Sequence, residues 1–198
     1  MTMDDNKISN IIEAAIMAAN KPLSIDKLKE LFDADIENEQ DIPSKDKILF
    51  LIHKLQDRYE GHGIELKPVS SGFRFQVRQE FSPWVGKMWD EKPQKYSRAL
   101  LETLALVAYR QPITRGEIED IRGVSVSSQI IRTLVEREWI RIIGHRDVPG
   151  KPAMYATTRQ FLDYFSLQKL DDLPPLSDIK DFEEINPELD FGNIELNQ

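Results

Sequence analysis

Leu100-Leu101-Glu102, followed by Ala108-Tyr109-Arg110-Gln111-Pro112-Ile113-Thr114, repeats an earlier passage of the same chain. That passage is Ile11-Ile12-Glu13 followed by Ala19-Asn20-Lys21-Pro22-Leu23-Ser24, with Gln111 as the one inserted residue. Leu28 and Leu31 likewise return as Ile118 and Ile121. One architecture used twice is the natural reading of such a match, and two copies are too few for a solenoid. Two homologous small domains are therefore expected.

Each copy decodes locally. Ile8, Ile11, Ile12, Ala15, Ile16 and Ala19 fall on one helical stripe, as do Leu100, Leu101, Leu104, Val107 and Ala108. Pro22 and Pro112 then stop each helix, because proline has no amide hydrogen and clashes with the preceding turn. Ser24 and Thr114 stand where the N-cap of a second helix belongs, and Thr114-Arg115-Gly116-Glu117 has capping-box spacing. A third helix is predicted over 44–60, with Ile48, Leu51, Ile52, Leu55 and Tyr59 inward. In the second copy it spans 127–138, with Ile130, Ile131, Leu134 and Val135 inward. A hairpin follows in each: 64–69 with 73–77, then 139–143 with 152–157. Val148-Pro149-Gly150-Lys151 suits a type II turn. Three helices and a hairpin, twice, give a mainly α fold with small β-hairpin wings (α+β): two tandem winged-helix domains. A closing helix is expected over 159–165, with Phe161, Leu162 and Phe165 inward. The expected division is a first domain over 1–81, a linker over 82–96, a second domain over 97–170, and a tail over 171–198. Trp84, Val85, Met88 and Trp89 of the linker are expected to pack as one helical turn on a domain, and Trp139 to be core.

The 198 residues are 40% hydrophobic and 30% charged, a balance with ample material for a core. The net charge of −8 sits wholly in the tail, where residues 171–198 carry nine acids against Lys180. Residues 97–170 sum to +3. With Pro174-Pro175, Pro187 and few clustered apolar residues, the tail reads as largely disordered. Without cysteine, disulfides, thiolate nucleophiles and Cys-ligated zinc are excluded. No apolar run approaches the roughly 18 residues of a membrane span, and Met1-Thr2-Met3-Asp4-Asp5 is unlike a signal peptide, so the cytoplasm is expected.

Several separated blocks carry a family likeness. They are Leu104 through Arg115, Ile121-Arg122-Gly123-Val124-Ser125, Trp139-Ile140-Arg141, Gly144 through Gly150, Phe161 through Phe165, and Asp172-Leu173-Pro174-Pro175-Leu176. In this order they resemble the segregation and condensation protein B family, over about residues 7–177 and most densely in the second domain. The resemblance implies a non-enzymatic accessory subunit of a bacterial condensin, taking part in chromosome segregation and partition. It also implies a homodimer built by the N-terminal winged helix, which binds the central region of a kleisin, segregation and condensation protein A. Through the kleisin it would meet a structural-maintenance-of-chromosomes ATPase, at the nucleoid.

The residues offer no catalytic constellation. His53 and His62 lack metal-ligand spacing, and neither cofactor nor metal is expected. Gly144–Lys151 superficially resembles a phosphate loop. It has one residue too many between its glycines, and Pro152 stands where Ser or Thr should hold magnesium. The rival function is a DNA-binding transcriptional regulator. The third helices mix Lys45, Lys47, Lys54 and Arg58 with Asp46, Asp57 and Glu60, and Arg132 and Arg137 with Glu136 and Glu138. Those faces are near neutral, so DNA contact is expected to be weak or to come through the complex.

The second wing carries more polar variety than a turn needs: Arg141, His145, Arg146, Asp147, Lys151 and Tyr155. Tyr109 and Arg110 close the first helix of that domain, where helix termination accounts for Pro112 and Arg110 but not for a tyrosine followed by Gln111, a cluster that could form a polar edge for a partner peptide. These eight residues are the candidate kleisin contacts. Ile8, Ile12, Met17, Leu49 and Phe50 are the candidate dimer interface, because the first domain's helices are apolar on more than one face.

Overall fold

Both copies of the repeat build the same frame, and in both the segment after the proline stop becomes extended. The computed structural model describes residues 4–33, 42–88 and 96–175. These divide into two compact units, one of residues 4–33, 42–88 and 165–168, the other of 96–164 and 169–175.

In the first unit α1 (Asp5–Ala18), α2 (Ile25–Asp33) and α3 (Lys45–Arg58) precede a hairpin of β1 (Ile64–Val69) and β2 (Gly72–Val77), and the short α4 (Ser82–Val85) follows it. Ser24 caps α2 through the Lys27 amide at 3.2 Å, and Ser44 caps α3 through the Lys47 amide at 3.2 Å. Ile12, Leu28, Ile48, Ile52 and Leu55 are fully buried and interlock the helices, with Leu66 and Phe73 closing the core from the hairpin. Leu23 exchanges two 2.9 Å backbone bonds with Phe73, tying the entry to α2 to the returning strand. That tie brings the Leu23 carbonyl oxygen to 2.1 Å from where a Cβ on residue 72 would lie, at φ +142°. Only glycine fits there. Glu13 on α1 takes hydrogen bonds from Arg58, at 3.0 Å, and from the Tyr59 hydroxyl, fastening α1 to the end of α3. The bond to Glu13, followed by burial, raises the Tyr59 pKa.

The second unit repeats this frame with one more strand. It contains α5 (Arg98–Arg110), β3 (Ile113–Thr114), α6 (Arg115–Arg122), α7 (Ser128–Glu136), β4 (Ile140–His145), β5 (Ala153–Thr157) and α8 (Arg159–Tyr164). The sheet order is β3-β5-β4, all antiparallel, with Ile113 opposite Tyr155 just as Leu23 faces Phe73. Thr114 and Glu117 form the expected capping box, and Gly123 at φ +69° closes α6. Val107, Ile118, Val126, Leu134, Trp139 and Ile140 make the core. The Trp139 ring sits 5.1 Å from that of Tyr96 and 4.7 Å from that of Tyr164, so a residue just before α5 and the last residue of α8 meet at one indole. The fold is mainly α with small hairpin wings, two winged helices in tandem.

Several details depart from the sequence-based expectation. α7 ends at Glu136 and its Val135 is exposed rather than inward, while the buried residue before the helix, Val126, follows the αL turn and carries no periodic signal. α8 ends at Tyr164. Phe165 is exposed, and Phe165–Gln168 belongs to the first unit, where the Ser70 amide donates to Leu167 O at 3.0 Å and Arg74 to Ser166 Oγ at 2.9 Å. Residues 79–88 form one continuous helical run that contains α4 and starts before the expected linker. Trp84 and Met88 are not packed down but stand 66% and 77% exposed. Trp89 and the remaining linker to 95 lie outside the described residues, as does the tail from 176. The first tail residues do have a place: Leu170–Asp172 is a helical turn, and Pro174 O accepts a 2.6 Å bond from the Tyr109 hydroxyl.

The close approach at Gly72 gives a test. Gly72→Ala is expected to cost about 2 kcal/mol or more, from steric overlap plus φ strain. Gly150→Ala, at φ +85° with nothing within 4 Å of the added carbon, should lose only about 1 kcal/mol from backbone strain. Urea unfolding of both variants measures the difference, and equal losses would remove the Leu23 contact as the cause.

Candidate partner-binding site on the second wing

Hydrogen bonds within the wing fix its shape before any side chain matters. The Arg146 amide donates to Pro152 O, that of Val148 to Arg146 O, and that of Lys151 to Val148 O, each at 2.9 Å. The last bond, with Gly150 at φ +85°, is the expected type II turn. This tight tip holds His145, Arg146, Asp147 and Lys151 around a depression of about 520 Å³.

Arg146 is the best anchored of the four. Its guanidinium donates to Glu117 Oε1 at 2.6 Å. The other oxygen of Glu117 takes the Thr114 amide at 2.8 Å and the Thr114 hydroxyl at 2.9 Å. One carboxylate thus caps α6 and holds the wing. The Thr114 amide bond first, then Arg146, keep the Glu117 carboxyl below its ordinary pKa. Glu119, two residues further along α6, also ties chain segments together, taking the Val126 amide at 2.8 Å and Arg115 at 3.0 Å. Its pKa is lowered by the same kinds of bond, the amide first.

The structure distributes the remaining candidates unevenly. Arg141 lies on β4 opposite Ala156, exposed, and neither it nor Lys151 forms an ion pair among the described residues. Tyr155 is half-buried in the central strand, opposite Ile113 on β3 and Ile142 on β4. Tyr109 and Arg110 end α5 and do not line the depression. The Tyr109 hydroxyl is engaged by Pro174, and burial raises its pKa, while Arg110 is exposed.

Three residues of the region, Gln111, Ile142 and Ile143, were not among the candidates. Gln111 Oε1 accepts from the Thr157 amide at 2.9 Å and hydroxyl at 3.1 Å, and its Nε2 donates to Ala108 O at 3.1 Å. It therefore joins the end of α5 to β5, and its signal was its status as the inserted residue. Ile142 and Ile143 on β4 are 52% and 44% exposed, next to Arg141. A hydrophobic pair in a strand normally signals core, so periodicity hid them.

Among the described residues no group of three or more His, Asp or Glu could hold a metal ion, and no helix is long and apolar enough to cross a membrane. Residues 10–176 match the family described as "Segregation and condensation complex subunit ScpB". The chain belongs to this family. It is 53% identical to the segregation and condensation protein B homolog of Coxiella burnetii, covering 92% of this chain and 84% of the relative. Identity to segregation and condensation protein B of Syntrophotalea carbinolica is 37%, covering 94% and 89% of the two chains. The crystal structure of ScpB from Mycobacterium tuberculosis is 31% identical, covers 84% of this chain and 99% of that one, and superposes with a TM-score of 0.39. The role of the chain is thus in chromosome segregation and condensation, as a subunit of a complex. A wing tied to α6 through Glu117, with Arg141 and Lys151 unpaired among the described residues, is a surface such a subunit can offer.

The Glu117 bonds predict a pH dependence. A carboxyl whose folded pKa lies below its unfolded value contributes stability above the unfolded pKa and loses it as pH falls through the folded one. Melting temperature of the full chain is therefore expected to fall as pH drops below the usual Glu pKa of about 4.3. Glu117→Gln should melt lower than wild type at pH 7, and the gap should narrow as pH falls below the usual Glu range. Parallel curves would show that the carboxylate does not hold the wing.

Proposed function

We propose that the chain is a non-catalytic subunit that forms a homodimer through its first unit and holds the central region of the kleisin, segregation and condensation protein A, on its second wing. It would meet the structural-maintenance-of-chromosomes ATPase through that kleisin, in the cytoplasm at the nucleoid. The observation that carries the wing assignment is the disposition of charge. Four of the third-helix cations that a winged helix would turn to DNA, Lys45, Lys47, Arg58 and Arg132, are paired with acids of the chain. Lys47 lies 2.6 Å from Asp5, Arg58 3.0 Å from Glu13 and Arg132 2.8 Å from Glu136. Tight duplex binding needs several cations released to phosphates, and such pairs compete with that. On the wing, by contrast, Arg141 and Lys151 are unpaired among the described residues and flank exposed apolar side chains, a mixture suited to a peptide.

The dimer reading rests on Met17 and Phe50, each half exposed on the first unit. Lys54 Nζ lies 4.6 Å over the Phe50 ring, an amphipathic edge of the kind found at the rim of interfaces. Ile8 and Ile12 contribute differently from their expected role: they are 5% and 0% exposed inside the unit's own core. Leu49 is half-buried against that core. A self-association surface would accordingly be built from Met17 and Phe50, with the isoleucines supporting it from beneath.

Calorimetry with a kleisin central fragment tests the wing. Arg141→Glu with Lys151→Glu is expected to weaken capture at least tenfold, about 1.4 kcal/mol, without changing the mass of the protein in solution. Unchanged affinity would remove the wing as the site. Submicromolar duplex binding at physiological salt would favour the regulator instead. Light scattering tests the dimer: wild type should have twice the chain mass at micromolar concentration, and Met17→Asp with Phe50→Asp should halve it.

A further inference from the structure

We propose that β4 captures its partner by strand addition, pairing its free edge with an extended segment that alternates apolar and acidic side chains. This rests on the assignment of the second wing as the kleisin site and specifies how that site binds. β4 is an outer strand of the order β3-β5-β4, and no strand among the described residues pairs with its other side. The Thr158 amide donates to Trp139 O at 3.2 Å, which sets the phase of the β4–β5 ladder. With Ile140 opposite Thr157 and Arg141 opposite Ala156, Arg141 is the residue that exchanges bonds with β5. Ile142, one residue on, directs its amide hydrogen and carbonyl outward. An outward donor and acceptor on a strand edge form a template for another chain.

The side chains at that edge say what kind of chain fits. Ile142, Ile143 and Val148 are 52%, 44% and 47% exposed, an apolar surface on a strand and the turn that follows. Arg141 points to the opposite face of the strand from Ile142 and forms no ion pair among the described residues. Lys151 and His145 add positive or titratable groups at the tip, against the single acid Asp147. An added strand would place alternate residues on these two faces. Apolar side chains would cover Ile142, and carboxylates would reach Arg141 and Lys151. The register break after Ile142, where the ladder resumes at Gly144, ends the usable edge, so the added strand would be short. The edge is also held rigid, because Gln111 fixes β5 at Thr157 and Glu117 fixes the wing at Arg146. A duplex offers neither apolar side chains for Ile142 nor backbone groups for the edge.

The test follows the Ile142 amide by hydrogen exchange in the full chain, with and without the kleisin central fragment. Strand addition is expected to slow that amide at least tenfold on binding. Ile142→Pro removes the outward donor but no β4–β5 bond, so it should weaken binding at least tenfold with little change in melting temperature. If that variant unfolds, the wild-type exchange rate alone decides. Binding with an unchanged Ile142 rate overturns strand addition. The wing assignment then survives if Arg141→Glu with Lys151→Glu still weakens capture. Slowing that tracks the concentration of the chain alone would make the occupant a second copy and overturn the proposal. Failure of the wild-type chain to bind the fragment overturns both.

Discussion

The backbone tie between the segment entering the second helix and the returning wing strand is the constraint on which both units depend. A proline stops the first helix, the chain becomes extended, and that extended piece must pair somewhere. In the first unit Leu23 pairs with Phe73, and in the second Ile113 pairs with Tyr155. The pairing places the N-cap hydroxyl, the start of the second helix and the returning strand in one rigid corner. It satisfies backbone groups that would otherwise be buried without partners. Three short helices alone would enclose a small core; the hairpin closes it, and the tie decides where the hairpin lies. Gly72 is the local cost of that closeness in the first unit, a position where no side chain fits.

The second copy elaborates the corner into a surface. Its extended piece lengthens to a strand, Gln111 attaches the helix end to β5, and Glu117 attaches the helix start to Arg146. The wing can therefore present charge and backbone at its outer edge without relying on a partner for shape. Its analogue in the first unit carries the docked segment Phe165–Gln168. One wing is occupied by the chain's own residues, and the other keeps its outer strand free among the described residues. Two copies of one architecture thus end with different uses.

Electrostatics follows the same division. Cations on α3 answer acids on α1, as Lys47 does Asp5 and Arg58 does Glu13. On the surface such pairs contribute little stability, yet they occupy the charges a duplex would need. The Arg146–Glu117 pair differs because its carboxylate also caps a helix, so one group serves the local helix and the wing together. The net charge of the chain lies in residues 171–198, of which Asp171 and Asp172 belong to the second unit, and leaves the rest of the chain near neutral.

The sequence by itself determined the elements that rest on local rules. Helical stripes, proline stops, hydroxyl caps, the Thr114–Glu117 box and the Pro149-Gly150 turn each follow from neighbours within a few residues. The repeat then told that the same frame occurs twice. Family blocks, spread along the chain, were legible for the same reason: they are strings. Only the tertiary structure decided what each side chain meets across the fold. Ile8 and Ile12 became core where a surface was expected, Tyr109 met Pro174, and Arg146 met Glu117. Trp84 was left in the open and Phe165 went to the other unit. Those outcomes join residues far apart in sequence. A hydrophobic residue in a regular element has the same periodicity whether a core, a partner or water finally covers it, and packing alone separates the three.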